Sequence, residues 1–205
     1  MLTVVGDCHG LTDRYVNKVK DLEASVQLGD MAHNYSRLSG LDPLKHKFFG
    51  GNHDNYDIYY QQPHSLGDFG EYTLGGIKFF FMRGAFSIDR IYRTPKVDWW
   101  EEEELSYAQL NECITLYQRL KPAIVITHDC PLPIAEIIGN KRVLINYGFD
   151  PHTYRPRTQL ALTQMFEIHQ PELWLFGHFH LSREVVYKGT KFICLNELEI
   201  FEIGD

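Results

Sequence analysis

The chain has 205 residues, 44% of them hydrophobic and 23% charged, with a formal net charge of −7. That length supports one ordinary domain, taken as residues 1–205, whose core needs no disulfide or structural metal. The acidic balance argues against a general duplex-DNA binder, and no apolar run is long enough to span a bilayer.

Met1–Asp7 lacks a basic leader region and enters an apolar strand at once, so no signal peptide is expected. Residues 2–6 form that strand and empty into Asp7-Cys8-His9-Gly10. Thr12 is expected to cap a helix whose buried face is Tyr15, Val16 and Val19. Residues 25–28 form a second strand ending in Gly29-Asp30, and residues 31–44 read as loop. A third strand, Lys47-Phe48-Phe49, runs into Gly50-Gly51-Asn52-His53-Asp54. Residues 71–74 and 77–82 flank Gly75-Gly76 as a hairpin, and 83–89 reads as a further strand opening into a loop. Glu101 to Glu104 read as a solvated acidic turn. Ser106 and Gln109 then fit a capping box for a helix that buries Leu110, Cys113, Ile114 and Tyr117.

Ala123–Thr127 is a buried-strand run that delivers His128-Asp129-Cys130. Residues 139–157 read as irregular, and a helix follows from about 158 to 169. Leu173–Phe176 is a strand ending in Gly177-His178-Phe179-His180, and three short strands near 184–187, 191–195 and 198–203 close the chain. The four cysteines (Cys8, Cys113, Cys130 and Cys194) form no CxxC pair. They read as reduced thiols in a cytoplasmic protein.

Five apolar strands thus each end in a polar group able to bind metal or move a proton: Asp7 and His9, Asp30, Asn52 and His53, His128, then His178 and His180. Strands lying side by side would bring all eight groups to one rim, and the C-terminal rim of an α/β sheet is where ligands bind. Carboxylate, imidazole and amide oxygen suit borderline divalent ions such as Mn²⁺, Fe²⁺ or Zn²⁺, whereas an oxygen-only calcium site needs no histidines.

In this order, Asp7-x-His9, Gly29-Asp30, Gly51-Asn52-His53-Asp54, His128 and Gly177-His178-x-His180 resemble the signature of the calcineurin-like metallophosphoesterases. The resemblance implies a four-layer α/β/β/α sandwich with two mixed sheets and two divalent transition-metal ions, Mn²⁺ first among them. It implies that Asp7, His9 and His180 hold one ion, that Asn52, His128 and His178 hold the other, and that Asp30 bridges them. His53 would face substrate instead, and Asp54 would brace the loop. Paired ions roughly 3.5–4 Å apart clamp phosphoryl oxygens and share a hydroxide that attacks phosphorus. His53, protonated and held by a carboxylate, would then assist the leaving group, so Asp30, Asn52 and His53 form the expected catalytic set.

The resemblance leaves the substrate open. Phosphoprotein phosphatases of this superfamily carry GDxxDRG at the second block, and Gly29-Asp30-Met31-Ala32-His33-Asn34 does not, which disfavours that activity. A small nucleotide-type phosphodiester is expected first, a cyclic nucleotide or nucleic-acid end among them. A phosphomonoester and a non-catalytic scaffold of the same fold are the alternatives. Arginine's planar fork suits phosphate, and among Arg83, Arg90, Arg93, Arg155 and Arg157 the last two are chosen as substrate contacts because they lie between metal blocks. Trp99 and Trp100 read as packing residues, and His33, His46, His64, His152 and His169 as ordinary histidines.

Overall fold

The computed structural model describes residues 1–139 and 141–204; Asn140, inside the stretch read as irregular, and Asp205 lie outside the described residues. Strand β1 (Leu2–Val5) is followed by helix α1 (Thr12–Val19), β2 (Ser25–Gln27), β3 (His46–Phe48) and the short α2 (Tyr56–Tyr59). The hairpin β4 (Phe69–Leu74) and β5 (Ile77–Met82) precedes α3 (Tyr107–Leu120), β6 (Ile124–Thr127), α4 (Leu132–Ile138) and α5 (Lys141–Asn146). Helix α6 (Arg157–Ile168) and strands β7 (Leu173–Phe176), β8 (Arg183–Tyr187), β9 (Thr190–Cys194) and β10 (Ile200–Ile203) complete the chain.

The strands make two mixed sheets, ordered β10-β1-β2-β3 and β4-β5-β6-β7-β9-β8. In the first, β1, β2 and β3 are parallel; in the second, β5, β6, β7 and β9 are parallel. Alternation along each strand then builds three apolar layers. Leu2 and Val4 of β1 meet Phe79 and Phe81 of β5 and Leu175 of β7 between the sheets. Phe80, Val125, Trp174 and Phe192 point the other way, onto α3, α4 and α6. Val5 and Phe48 point outward onto Tyr15 and Val19 of α1. Three interfaces separate four layers, which is the α/β/β/α sandwich expected.

Several local expectations need correction. Thr12 is the first helical residue and makes no cap; Leu11 holds the cap position without a side-chain bond. The Ser106–Gln109 capping box does form. Residues 83–89 are not a strand. Arg83 N donates to Asp68 O and Gly84 N to Gly50 O, so the chain leaves the sheet toward the metal-block loops as soon as β5 ends. Residues 139–157 are only partly irregular, since α5 lies within them. That six-residue helix buries no residue, so it carries no apolar periodicity to read.

The acidic run is not wholly solvated either: Glu103 and Glu104 are buried. Helix α6 begins behind Pro156, which offers no side-chain cap. Glu104 supplies the missing acceptor, taking hydrogen bonds from Thr158 N at 3.0 Å and Thr158 Oγ1 at 2.8 Å. No helix among the described residues is long and apolar enough to cross a membrane.

Candidate metal centre and active site

Parallel pairing places the C-terminal ends of β1, β2 and β3 on one edge and those of β5, β6 and β7 on another. The loops beyond them interlock. Cys8 N and His9 N both donate to Asp30 O, at 3.1 and 2.7 Å, and Gly177 N donates to His128 O at 3.0 Å. The two sheets are joined where His128 Nδ1 donates to Leu28 O at 2.7 Å and His178 N to Asp7 Oδ2 at 3.0 Å.

Seven of the expected donor residues come together as two half-sites. In one, Asp7, His9, Asp30 and His180 each offer an atom, all within 4.8 Å of one another. His9 Nε2 lies 2.7 Å from His180 Nε2, and His180 Nε2 lies 3.3 Å from Asp7 Oδ2. In the other, Asn52 Oδ1 lies 3.0 Å from His128 Nε2 and 2.9 Å from His178 Nδ1. Asp30 reaches both: Oδ1 is 3.4 Å from His128 Nε2, and Oδ2 is 3.6 Å from His9 Nε2.

Hydrogen bonding tests whether cations fit. Because Leu28 O can only accept, Nδ1 of a neutral His128 carries the hydrogen and its Nε2 is a lone pair. That lone pair faces Asn52 Oδ1, another acceptor, whose orientation is fixed because Asn52 Nδ2 donates to Ser87 Oγ at 2.9 Å. Converging acceptors require a positive charge between them, a proton or a metal. Asp30 Oδ2, buried without any hydrogen-bond partner, asks for the same in the first half-site. The residues therefore fit divalent ions.

The electrostatics agree. Burial opposes charge on His128, but Asp30 and Asp7 outweigh it and push its pKa up to about 10. Burial likewise drives Asp7 and Asp30 toward protonation; His180 and His9 hold Asp7 below its ordinary value, and His128 and His53 hold Asp30 well below it. Burial beside the His128 charge sends His178 the other way, down to about 3.

The backbone is strained at the same residues. His9, Asp30, His178 and His180 have φ of 46°, 56°, 65° and 51°, a left-handed conformation costing about 1–2 kcal/mol per non-glycine residue. Such strain persists where surrounding contacts dictate it, typically at functional sites. Glycines permit the close approaches: a Cβ on Gly177 would meet Asp7 Oδ1, and one on Gly51 would meet Asp30 Oδ1 and the His128 ring. Gly51→Ala is expected to cost about 1–3 kcal/mol and to weaken metal uptake, measured by thermal melting and metal analysis. An unchanged melting temperature with full metal content would show that the loop gives way.

Asp54 is fully buried and takes no place among the donors. It accepts from Asp30 N, Gly51 N, Ala32 N and Tyr35 Oη, at 2.9, 2.7, 3.1 and 3.0 Å. It braces two of the metal-block loops together. Cys8 is buried against α1, and burial with the Asp54 charge pushes its thiol up to about 12, so it is an inert packing residue.

His53 lies at the rim, but no carboxylate among the described residues bonds its ring. Its Nε2 lies 3.0 Å from Asn52 Nδ2 and 3.3 Å from Arg93 Nη2, both donors, so Nε2 is the acceptor and Nδ1 bears the hydrogen. Burial and the Arg93 charge lower its pKa, against the pull of Asp30. Arg93 stands beside His53 at the site, where Asp89 Oδ2 holds it at 2.6 Å. Arg157 instead pairs with Glu104 at 3.5 Å at the start of α6, and Arg155 lies 3.7 Å from Glu136. Arg83 is buried against Asp68 and Tyr60, and Arg90 lies over the Phe86 ring.

Trp100 packs, with Nε1 donating to Asp57 at 2.9 Å. His46, His64 and His169 bond Ser25, Leu41 O and Pro122 O away from the rim. Ser87, Asp89 and Arg93 are the site residues that motif reading passed over or left unranked. The one signal was the four-residue Asp89–Arg93 spacing, which suits an ion pair on a helical turn.

The chain belongs to the calcineurin-like phosphoesterase family, whose profile matches residues 1–182. An uncharacterized protein of Acanthamoeba polyphaga mimivirus is 31% identical over 102 residues, 48% of this chain and 32% of that protein, so the chain spans about a third of that relative's length. Among solved structures, it is similar to a phosphopantetheinyl hydrolase from Mycobacterium tuberculosis, with a TM-score of 0.48 and 15% identity over 96% of this chain and 89% of that one. It is also similar to the anchor in the inner membrane complex of Plasmodium, with a TM-score of 0.48 and 12% identity over 95% and 70% of the two chains.

Proposed function

We propose that this chain is a dinuclear metal-dependent hydrolase of small phosphate esters, acting on phosphodiesters of nucleotide type before monoesters, with Mn²⁺ as its first ion. The observation that carries the reading is Asp30, whose two carboxylate oxygens face separate half-sites beside an open cleft. Asp7, His9 and His180 would hold one ion with Asp30, and Asn52, His128 and His178 the other. When bound, such ions supply charge neutralisation for phosphoryl oxygens and activate water.

The chain's own residues do the rest. Ser87 fixes the Asn52 amide so that its oxygen, not its nitrogen, faces the second half-site. Leu28 O fixes the His128 tautomer, the support that orients metal-ligating histidines elsewhere. His53 lines the cleft with Nδ1 buried and unpartnered, and in its protonated, imidazolium form the ring has a proton to give to a leaving oxygen. Arg93, held by Asp89, adds positive charge beside the phosphate's place.

The test is metal analysis together with a substrate panel on Mn²⁺-loaded protein: an aryl monoester, a bis-aryl diester, 2′,3′- and 3′,5′-cyclic nucleotides and short oligonucleotides. Two transition ions per chain and turnover of a diester are expected. Bound metals with no turnover of any member would instead make the chain a scaffold of the same fold.

A further inference from the structure

A cleft of about 430 Å³ opens from the metal-donor rim and runs under α4 and α5. One end is polar, formed by Asp30, Asn52, His53, His178 and His180. The rest of the wall is largely apolar, with Ile88, Leu132, Val143, Leu144, Phe179 and Leu181 among its side chains. Pockets for organic ligands occupy roughly 300–1,000 Å³ and join such an apolar wall to a few polar anchors. A phosphate group alone needs only the polar end.

Charge bears on what the apolar wall takes. Apart from histidines, the described lining holds one basic residue, Lys141, and its carboxylates Asp89 and Glu136 already stand against Arg93 and Arg155. A second phosphate on that wall would have a single lining cation to meet, whereas an uncharged arm needs none. Two tyrosines close the wall, Tyr147 against the ring of Tyr92 at 6.2 Å and Tyr154 against Phe149 at 5.2 Å.

We propose that this cleft is the specificity site for an uncharged, apolar arm of the phosphate ester, aromatic or branched aliphatic, and that it disfavours an extended nucleic-acid end. This rests on the phosphoesterase reading above and narrows its nucleotide-type diesters to those whose arm bears no further charge and can lay an aromatic ring on the wall. Hydrolysis breaks the P–O bond to the arm and forms one to the oxygen of water; a proton from that water ends on the released alcohol. The arm lies along α4 and α5 while the phosphoryl group lies at the rim.

Calorimetry with inert C–P analogues tests the proposal without turnover. On Mn²⁺-loaded protein, 2-naphthylmethylphosphonate is expected to bind at least about tenfold more tightly than methylphosphonate, the gain expected from burying a bicyclic ring. Phosphonoacetate, whose arm is anionic, is expected to show no gain. Leu144→Asp should abolish the naphthyl advantage and leave methylphosphonate binding unchanged. Val143→Asp, at a side chain that is 39% exposed and free to change without disturbing the core, should do the same. Metal-dependent binding of both phosphonates with equal affinity, or a naphthyl advantage untouched by either variant, overturns the apolar-arm site and leaves the phosphoesterase reading standing. Binding of neither phosphonate, with metals loaded, removes both.

Discussion

Asp30→Asn is expected to leave the chain folded, reduce bound metal to at most one ion and lower kcat/KM by well over about a hundredfold. Losing an outer-shell partner of a metal ligand costs about 10–100-fold in metal affinity or activity, and Asp30 reaches both half-sites directly. The substitution is nearly isosteric, and asparagine keeps an oxygen for the hydrogen bond from His53 N, now 2.7 Å from Asp30 Oδ1. What it removes is the charge and one lone-pair face. Full metal content with wild-type turnover would show that Asp30 does not link the two half-sites.

The same variant has a metal-free signature. His128 titrates near 6.5 when unfolded and is pushed up to about 10 in the fold, with Asp30 the chief opposing charge to burial. A raised folded pKa stabilises fully below the unfolded value and is lost as pH rises through the folded one. Metal-free wild type is therefore expected to lose melting temperature between about pH 6.5 and about pH 10. Asp30→Asn should make that slope shallower, because the chief charge that raises His128 is gone while Asp7 remains. An equally steep slope in the variant would place the dependence elsewhere.

How much of this was legible in the sequence depends on the range of each interaction. Each donor follows its own strand within a few residues, so Asp7, Asp30, Asn52, His128 and His178 announce themselves locally as polar groups after apolar runs. The strands that carry them show the period-two alternation that sorts Phe79 and Phe81 from Phe80. The misplaced features depend on partners far away in the chain. Arg157 looked free for phosphate because nothing nearby shows that Glu104, 53 residues earlier, turns inward to cap α6. Glu103 and Glu104 looked solvated for the same reason. Arg93 is drawn to His53 across 40 residues, and the left-handed backbone of His9, Asp30, His178 and His180 leaves no mark in residue type, because none of them is a glycine.

His53→Ala is expected to separate substrates by their leaving groups. A positioned acid contributes about 10²–10⁴-fold when the leaving oxygen needs a proton, so alkyl diesters should lose about that much in kcat. Aryl esters, whose phenolates depart unaided, should lose much less, and metal content should stay at its wild-type value. Equal losses on both substrate types would remove the proton-donor role; lost metal would make His53 a structural support of Asn52, which lies 3.0 Å away. Arg93 gives the complementary test. Burial first, and then the Arg93 charge, hold the His53 pKa below its ordinary value, and a donor with a lowered pKa is protonated only on the acid side. Alkyl-ester kcat in wild type should therefore fall as pH rises through that lowered pKa. Arg93→Gln keeps a hydrogen-bond donor while removing the charge, so the falling limb should move to higher pH for alkyl esters and stay put for aryl esters. A limb that does not move would show that Arg93 acts on the phosphate and not through His53.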